Sequence, residues 1–287
     1  MTLSGADVRR LLDEYGLAPS RARGQNFVVD PNTVRRIARL AGVGPGDRVV
    51  EIGAGLGSLT LALAETGASV TAIEVDGGLV PALRGVVEPV GVTVVEGDAL
   101  RLDWSTLLGE GPSDPLQGPL GPWVLVANLP YNVATPLVAD LLDGVPAISR
   151  MLVMVQREVA ERLAAGPGDD AYGAVSVKVA YWATAKVVGR VPATVFHPVP
   201  NVESALVRID RRPAPAVGPE VDPEVLFRLV RAGFGQRRKM LRRSLAGLVG
   251  VEEFAAAGVR PQARAEELAV EDWGRLAACT SSAPRPS

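Results

Sequence analysis

The feature that most constrains the fold is a run of five short apolar segments, each followed by a turn or a helix-period pattern, that begins at Asp47 and opens on a glycine-rich turn. Arg48–Gly53 reads as a buried strand ending in that turn, Ser58–Glu65 as a helix, Ser69–Glu74 as a second strand and Gly78–Val87 as a helix. Further strands follow at Val92–Val95, Trp123–Ala127 and Met151–Val155, with a helix over Thr135–Leu142. Strands alternating with helices predict a parallel sheet covered on both faces. Ala174–Ala183, Ala185–Val191 and Ser204–Ile209 read as additional, antiparallel strands. The proline-rich stretch Arg211–Pro219 marks a break, and the pattern beyond it is helical. The expected organisation is a catalytic domain over 1–212, a linker over 213–219, a helical RNA-binding domain over 220–280 and a disordered tail over 281–287.

Composition removes several chemistries. Among 287 residues there is one cysteine, Cys279, and one histidine, His197. An internal disulfide is therefore impossible, and a thiolate or imidazole zinc cage lacks ligands, so no metal is expected. A Ser/His/Asp triad would have to rest on His197 alone. No apolar stretch reaches the roughly 18–20 residues of a membrane span, and the start, with Asp7, Arg9, Arg10, Asp13 and Glu14, lacks a signal-peptide pattern. A cytoplasmic protein without membrane contact is expected. The net charge of −2 hides an acid-free segment between Glu224 and Glu252 that carries Arg228, Arg231, Arg237, Arg238, Lys239, Arg242 and Arg243. Such a patch predicts a polyanion-binding face, although a solvated helix face would share the composition. If 226–245 is one helix, all of these except Arg237 fall on one side.

Three constellations carry chemistry. Glu51-Ile52-Gly53-Ala54-Gly55-Leu56-Gly57 closes the first strand. Glycine lets backbone approach a ligand closely, and this position is that of a nucleotide site. The dinucleotide fingerprint wants a third glycine where Ser58 stands, so an acid followed by G-x-G-x-G favours S-adenosylmethionine over NAD. A glycine turn serving packing alone would look much the same. Glu74 ends the second strand, where an acid accepts both ribose hydroxyls, and Asp98 follows the third, where it suits an adenine amine. Asn128-Leu129-Pro130-Tyr131 follows the fourth. There the Asn128 side chain and the Pro130 carbonyl are candidate acceptors for the two N–H bonds of an aromatic amine, while Tyr131 offers a face for an extruded base.

With Gly24-Gln25-Asn26-Phe27, Ile73-Glu74-Val75-Asp76, Tyr172-Gly173, Phe196-His197-Pro198-Val199-Pro200 and Phe234-Gly235-Gln236-Arg237-Arg238-Lys239, these segments make the chain resemble the KsgA family of small-subunit ribosomal RNA adenine dimethyltransferases over nearly its whole length. The resemblance implies an α/β, Rossmann-like class I methyltransferase with a seven-stranded sheet and a small helical C-terminal domain. It implies dimethylation of two adjacent adenosines near the 3′ end of 16S ribosomal RNA, within an immature 30S subunit, by a monomer using S-adenosylmethionine. Asn26, Val28, Gly53, Glu74, Asp98 and Asn128 match cofactor-contacting positions, with valine at 28 where leucine is usual. Asn128, Pro130, Tyr131 and Phe196 match catalytic ones, Phe196 being similar to the aromatic on the far wall of the base pocket. Arg21 and Arg23 join Arg237, Arg238, Lys239, Arg242 and Arg243 as RNA-binding candidates. A dinucleotide oxidoreductase, a non-catalytic RNA-binding assembly factor and a 23S ribosomal RNA methyltransferase that confers antibiotic resistance remain as alternatives.

Overall fold

A computed structural model describes residues 2–20, 23–109, 121–130 and 133–281. The elements, in chain order, are α1 (Gly5–Glu14), β1 (Phe27–Val28), α2 (Pro31–Ala41), β2 (Arg48–Ile52), α3 (Ser58–Ala64), β3 (Ser69–Glu74), α4 (Val80–Val87) and β4 (Thr93–Glu96). They continue as α5 (Trp104–Leu108), β5 (Trp123–Asn128), α6 (Ala134–Gly144), β6 (Ile148–Gln156), α7 (Arg157–Ala164), α8 (Ala174–Trp182) and β7 (Ala183–Val191). The last are β8 (Phe196–His197), β9 (Ser204–Arg211), α9 (Pro223–Gly235), α10 (Leu241–Ser244), α11 (Val251–Ala256) and α12 (Val270–Ser281).

Seven strands form one sheet in the order β4-β3-β2-β5-β6-β9-β7. Neighbours from β4 to β6 run parallel and β9 runs antiparallel to β6. The central strands are buried over most of their length, as β5 shows from Trp123 to Ala127, which is why they read as continuous apolar runs rather than alternating ones. From β2 the chain moves outward to β3 and β4, then returns to lay β5 on the other side of β2. That reversal opens a crevice beyond the carboxyl ends of β2 and β5, the place where open α/β sheets bind ligands. A two-stranded ribbon, β1 antiparallel to β8, aligns Val28 with Phe196.

The chain divides into two compact units, Met1–Ala160 with Lys186–Asp210, and Glu161–Ala185 with Arg211–Ser287. The expected boundary at 212 therefore needs correction, because 161–185 belongs to the helical unit. Ala174–Ala183, expected as a strand, is the helix α8. Its valines at 175, 177 and 179 mimic a strand's alternation, but the segment is apolar almost all round, and Val177 and Tyr181 pack in the helical core with Phe227. Its start is held by the Gly173 N–H, which donates to Ser176 Oγ at 3.0 Å, while that hydroxyl donates to the Arg162 carbonyl at 2.6 Å. Nor is 213–219 a free linker. The Ala216 N–H donates to the Tyr181 carbonyl at 2.8 Å, and Val217 rests on Gly274, where a Cβ would meet it at 2.6 Å.

The basic segment is not one helix. α9 stops at Gly235, and Arg237, Arg238 and Lys239 occupy the turn before α10. Gly233 does not break α9, because the Trp273 ring fills the space its side chain would take, 2.6 Å from an added Cβ. Ser281 closes α12, and the rest of the expected tail, 282–287, lies outside the described residues. No helix among the described residues is long and apolar enough to cross a membrane.

Candidate active site at the sheet edge

The turn after β2 is shaped by three glycines in left-handed backbone, Gly53 at φ +74°, Gly55 at +59° and Gly57 at +90°, a region that side chains with a Cβ rarely enter. The Gly53 and Ala54 N–H groups donate to the Ile73 carbonyl at 2.9 and 3.2 Å and pin the turn to β3. Close approach imposes glycine as well, since a Cβ on Gly55 would lie 3.0 Å from the Phe27 ring. The cleft under this turn is lined by residues 23–28, by Glu51, Ser58, Glu74, Val75 and Leu79, and by Asn128 and Pro130.

Two carboxyls meet beneath it. Glu74 is 5% exposed, and its oxygens accept from the Gly55 N–H at 2.7 Å and the Asp76 N–H at 2.9 Å. Burial raises its pKa, against the pull of those backbone donors. Glu51 is 1% exposed, and burial, reinforced by the neighbouring Glu74 charge, pushes it up to about 8. Glu51 Oε2 and Ser58 Oγ, both on the cleft lining, are buried without hydrogen-bond partners among the described residues, a cost that native proteins tolerate where a ligand completes the set. Val75, 59% exposed beside Glu74, presents an apolar surface. A buried acid at the end of β3, orphaned polar atoms and an apolar lip fit a nucleoside such as S-adenosylmethionine.

Asn128 ends β5, next to that turn. Its Nδ2 donates to the Asn26 carbonyl at 3.1 Å, so the amide is oriented with Oδ1 as its remaining acceptor. The Pro130 carbonyl is different. It accepts the N–H groups of Val133 and Ala134, each at 3.2 Å, at the start of α6. The expected use of that carbonyl for a substrate amine is therefore corrected, since α6 already occupies it.

Of the other expected residues, Asn26 and Val28 line the cleft, Val28 while also packing in the core. Phe196 does not line it. At 2% exposed, it packs in the core beneath the sheet with Val28 and Leu206, so the expected stacking wall is a core aromatic here. Asp98, two residues beyond β4, is not among the lining residues; its Oδ1 accepts from the Leu100 N–H at 3.0 Å and its carboxylate faces Arg101 at 3.6 Å. Tyr131 and Arg21 lie outside the described residues. Arg23 borders the cleft in an ion pair with Asp76. In the helical unit Arg237 donates to Glu266 at 2.6 Å and to the Asp170 carbonyl at 2.7 Å, and so it braces the fold instead of facing a ligand. Arg238, Lys239, Arg242 and Arg243 are exposed.

Gln25 and Ser58 line the cleft without having been expected there, and Asp76 joins it through Gln25. Gln25 and Asp76 lie inside the quoted motifs, and the acid before G-x-G-x-G was visible, but nothing in one sequence shows which neighbours of a motif turn inward.

Comparison with known proteins gives a consistent picture. A family model described as ribosomal RNA adenine dimethylase matches residues 20–281. The ribosomal RNA small subunit methyltransferase A of Cutibacterium acnes is 50% identical over 282 residues, 96% of this chain and 93% of that protein. The protein of the same name from Thermobifida fusca is 50% identical over 286 residues, 96% of this chain and 95% of its own. The crystal structure of the 23S rRNA methyltransferase ErmE matches with a TM-score of 0.66 and 27% identity, over 90% of this chain and 100% of that one. A dimethyladenosine transferase from Plasmodium falciparum matches with a TM-score of 0.69 over 86% of this chain and 94% of its own, at 23% identity, a likeness of fold.

Proposed function

The chain belongs to the ribosomal RNA adenine dimethylase family, and we propose from that membership and from the cleft at the β2–β5 edge that it dimethylates two adjacent adenosines near the 3′ end of 16S ribosomal RNA, acting on an immature small subunit. Its cofactor is S-adenosylmethionine, which supplies an activated methyl group. The observation that carries the reading is Asn128. It sits at the switch point of the sheet with its amide N–H committed to the Asn26 carbonyl and its Oδ1 left to accept.

An amine conjugated to a purine is a poor nucleophile because its lone pair is delocalised into the ring. Asn128 Oδ1 accepts one amine N–H and favours a more tetrahedral nitrogen. The Pro130 carbonyl, the other expected acceptor, serves α6, so the reading rests on Asn128 Oδ1. No strong base is required, because the amine becomes acidic as it acquires positive charge. Positioning and preorganised acceptors supply most of the effect. A monomethylated amine keeps one N–H, which Asn128 Oδ1 accepts in the second transfer. Glu74 is proposed to hold the ribose, Gly53 and Val28 the cofactor backbone-side, Asp98 the adenine, and Tyr131 the extruded base. Arg238, Lys239, Arg242 and Arg243 are proposed to hold RNA phosphates.

The test is methylation of unmodified small subunits and of 16S and 23S RNA by the purified protein, read by mass spectrometry of nucleosides. Dimethyladenosine in 16S RNA alone is expected. Product in 23S RNA would move the assignment to the resistance methyltransferases, and saturable cofactor binding without product would leave an assembly factor.

A further inference from the structure

The segment 23–28 makes its contacts at both flanks of the cleft. On one flank, beyond the end of β3, Gln25 Nε2 donates to Asp76 Oδ2 at 2.8 Å, and the Arg23 guanidinium pairs with the same carboxylate. Gln25 is itself held, because its Oε1 accepts the Ser20 N–H at 2.7 Å. On the other flank, at the end of β5, the Asn26 carbonyl accepts from Asn128. Between these points Phe27 lies against Gly55 of the turn after β2. Since β3, β2 and β5 are neighbours in the sheet, the segment spans the carboxyl ends of all three strands, across the mouth of the cleft it lines.

The two tethers differ in kind. The Asn128 end continues into a strand, β1, whose ribbon with β8 anchors it. Among the described residues the Asp76 end joins no strand: the Gln25 N–H braces the loop on the Ser20 carbonyl at 3.1 Å, and side chains fasten it to Asp76. Asp76 is well suited to it: its pKa is held low, first by Arg23 and also by Gln25 and the Gly78 N–H, so it stays an anion that accepts several donors at once. The Arg23 pair is half exposed and contributes little by itself. Gln25, donating to the same charged acceptor, is half-buried and is itself held by Ser20, so it is the less screened of the two.

We propose that residues 23–28 are a strap over the cofactor cleft, and that Gln25 on Asp76 is the fastening that sets how long the cofactor stays bound. Gln25 and Asp76 are thus positioning residues: neither is asked to touch the reacting atoms. The inference rests on the cofactor reading of the cleft. With the Asp76 end released, the strap lifts as a hinged flap about β1, and ligand leaves without waiting for the fold to open.

The test is the dissociation rate of S-adenosylhomocysteine, measured by displacement in stopped flow, for the unaltered chain, Gln25→Leu, Asp76→Asn and Arg23→Gln. Loss of a hydrogen bond to a charged group corresponds to roughly a tenfold or greater rise in dissociation rate for Gln25→Leu. Asp76→Asn keeps one acceptor for Gln25 and falls between, and Arg23→Gln changes least. The KM for S-adenosylmethionine should rise far more than kcat falls. A merely structural role would instead lower the melting temperature of the empty protein and leave the dissociation rate alone. That outcome, or equal rates for all four proteins, overturns the strap. No binding of either cofactor form to the unaltered chain would overturn the cofactor reading itself.

Discussion

The two units use charge in opposite ways. In the sheet unit Glu51 and Glu74 are nearly inaccessible and converge under one turn, within reach of Asn128 at the end of the adjacent strand. In the helical unit Arg238, Lys239, Arg242 and Arg243 point outward from a turn and a short helix, and Arg228 and Arg231 are exposed along α9. A buried group acts through one geometry in a low dielectric, so its removal is felt whole. An exposed one acts through summed Coulomb attraction screened by salt, so each is individually dispensable. The first unit concentrates its acids under one turn, and the second spreads its bases over exposed positions.

That contrast breaks most sharply at Asn128. Asn128→Ala should lower the methylation rate by roughly 10²–10³, as loss of one preorganised polar contact does, with RNA affinity and melting temperature nearly unchanged. Single-turnover kinetics with saturating cofactor measure it. Near-normal turnover in a folded variant would place the acceptor elsewhere.

Replacing Arg238, Arg242 and Arg243 together by Gln should weaken RNA binding about tenfold at physiological salt, and it should reduce the slope of log K against log salt by up to about 2–3, following counterion release. Cofactor affinity should not move. Filter binding across a salt series decides it, and an unchanged slope would take the RNA dock away from this turn.

A smaller effect separates buried acid from exposed base through pH. Unfolded, Glu51 ionises near its ordinary 4.5, and folded it holds its proton to about 8. Between those values the native state keeps a proton that the unfolded chain releases, so stability falls as pH rises through that window and levels off above it. Glu51→Gln removes the dependence. Its melting temperature should gain on the unaltered chain by several degrees from pH 5 to pH 8 in the empty protein. A gap that stays constant with pH would show that Glu51 is ionised throughout.

How much of this was legible in the sequence also divides by unit. β2, β3, β5 and β6, the glycine turn, and the placing of Glu74 and Asn128 at strand ends all followed from local pattern, because a parallel sheet writes each strand as a separate apolar run. The helical unit was harder. α8 reads as a strand because its burial is decided by Phe227 and α12, far along the chain. The domain boundary failed for the same reason, as the chain leaves the sheet at 161 and returns to it before leaving again at 211. In the site, Phe196 and the Pro130 carbonyl carry the right residue types at the right positions. What local pattern does not encode is that the core and α6 occupy them already.

The smallest effect sharpens the comparison inside one motif. Arg237 and Arg238 are adjacent and chemically identical, yet only Arg237 is engaged, with Glu266 and the Asp170 carbonyl. Both partners belong to the helical unit, so this arginine ties the loop before α8 and the turn before α12 to the end of α9. Its side chain is 43% exposed and that of Glu266 29%, so solvent screens the pair and its worth stays near 1 kcal/mol, or about 2–4 °C in melting temperature for a chain of this size. Arg237→Gln should cost about that much and leave the salt slope of RNA binding where it was. Arg238→Gln, with no partner among the described residues, should leave the melting temperature alone and reduce the slope by somewhat less than 1. Thermal scans and salt titrations on the two variants separate them. If both lowered the slope equally, the brace on Glu266 would have to open when RNA arrives, and Arg237 would return to the docking face.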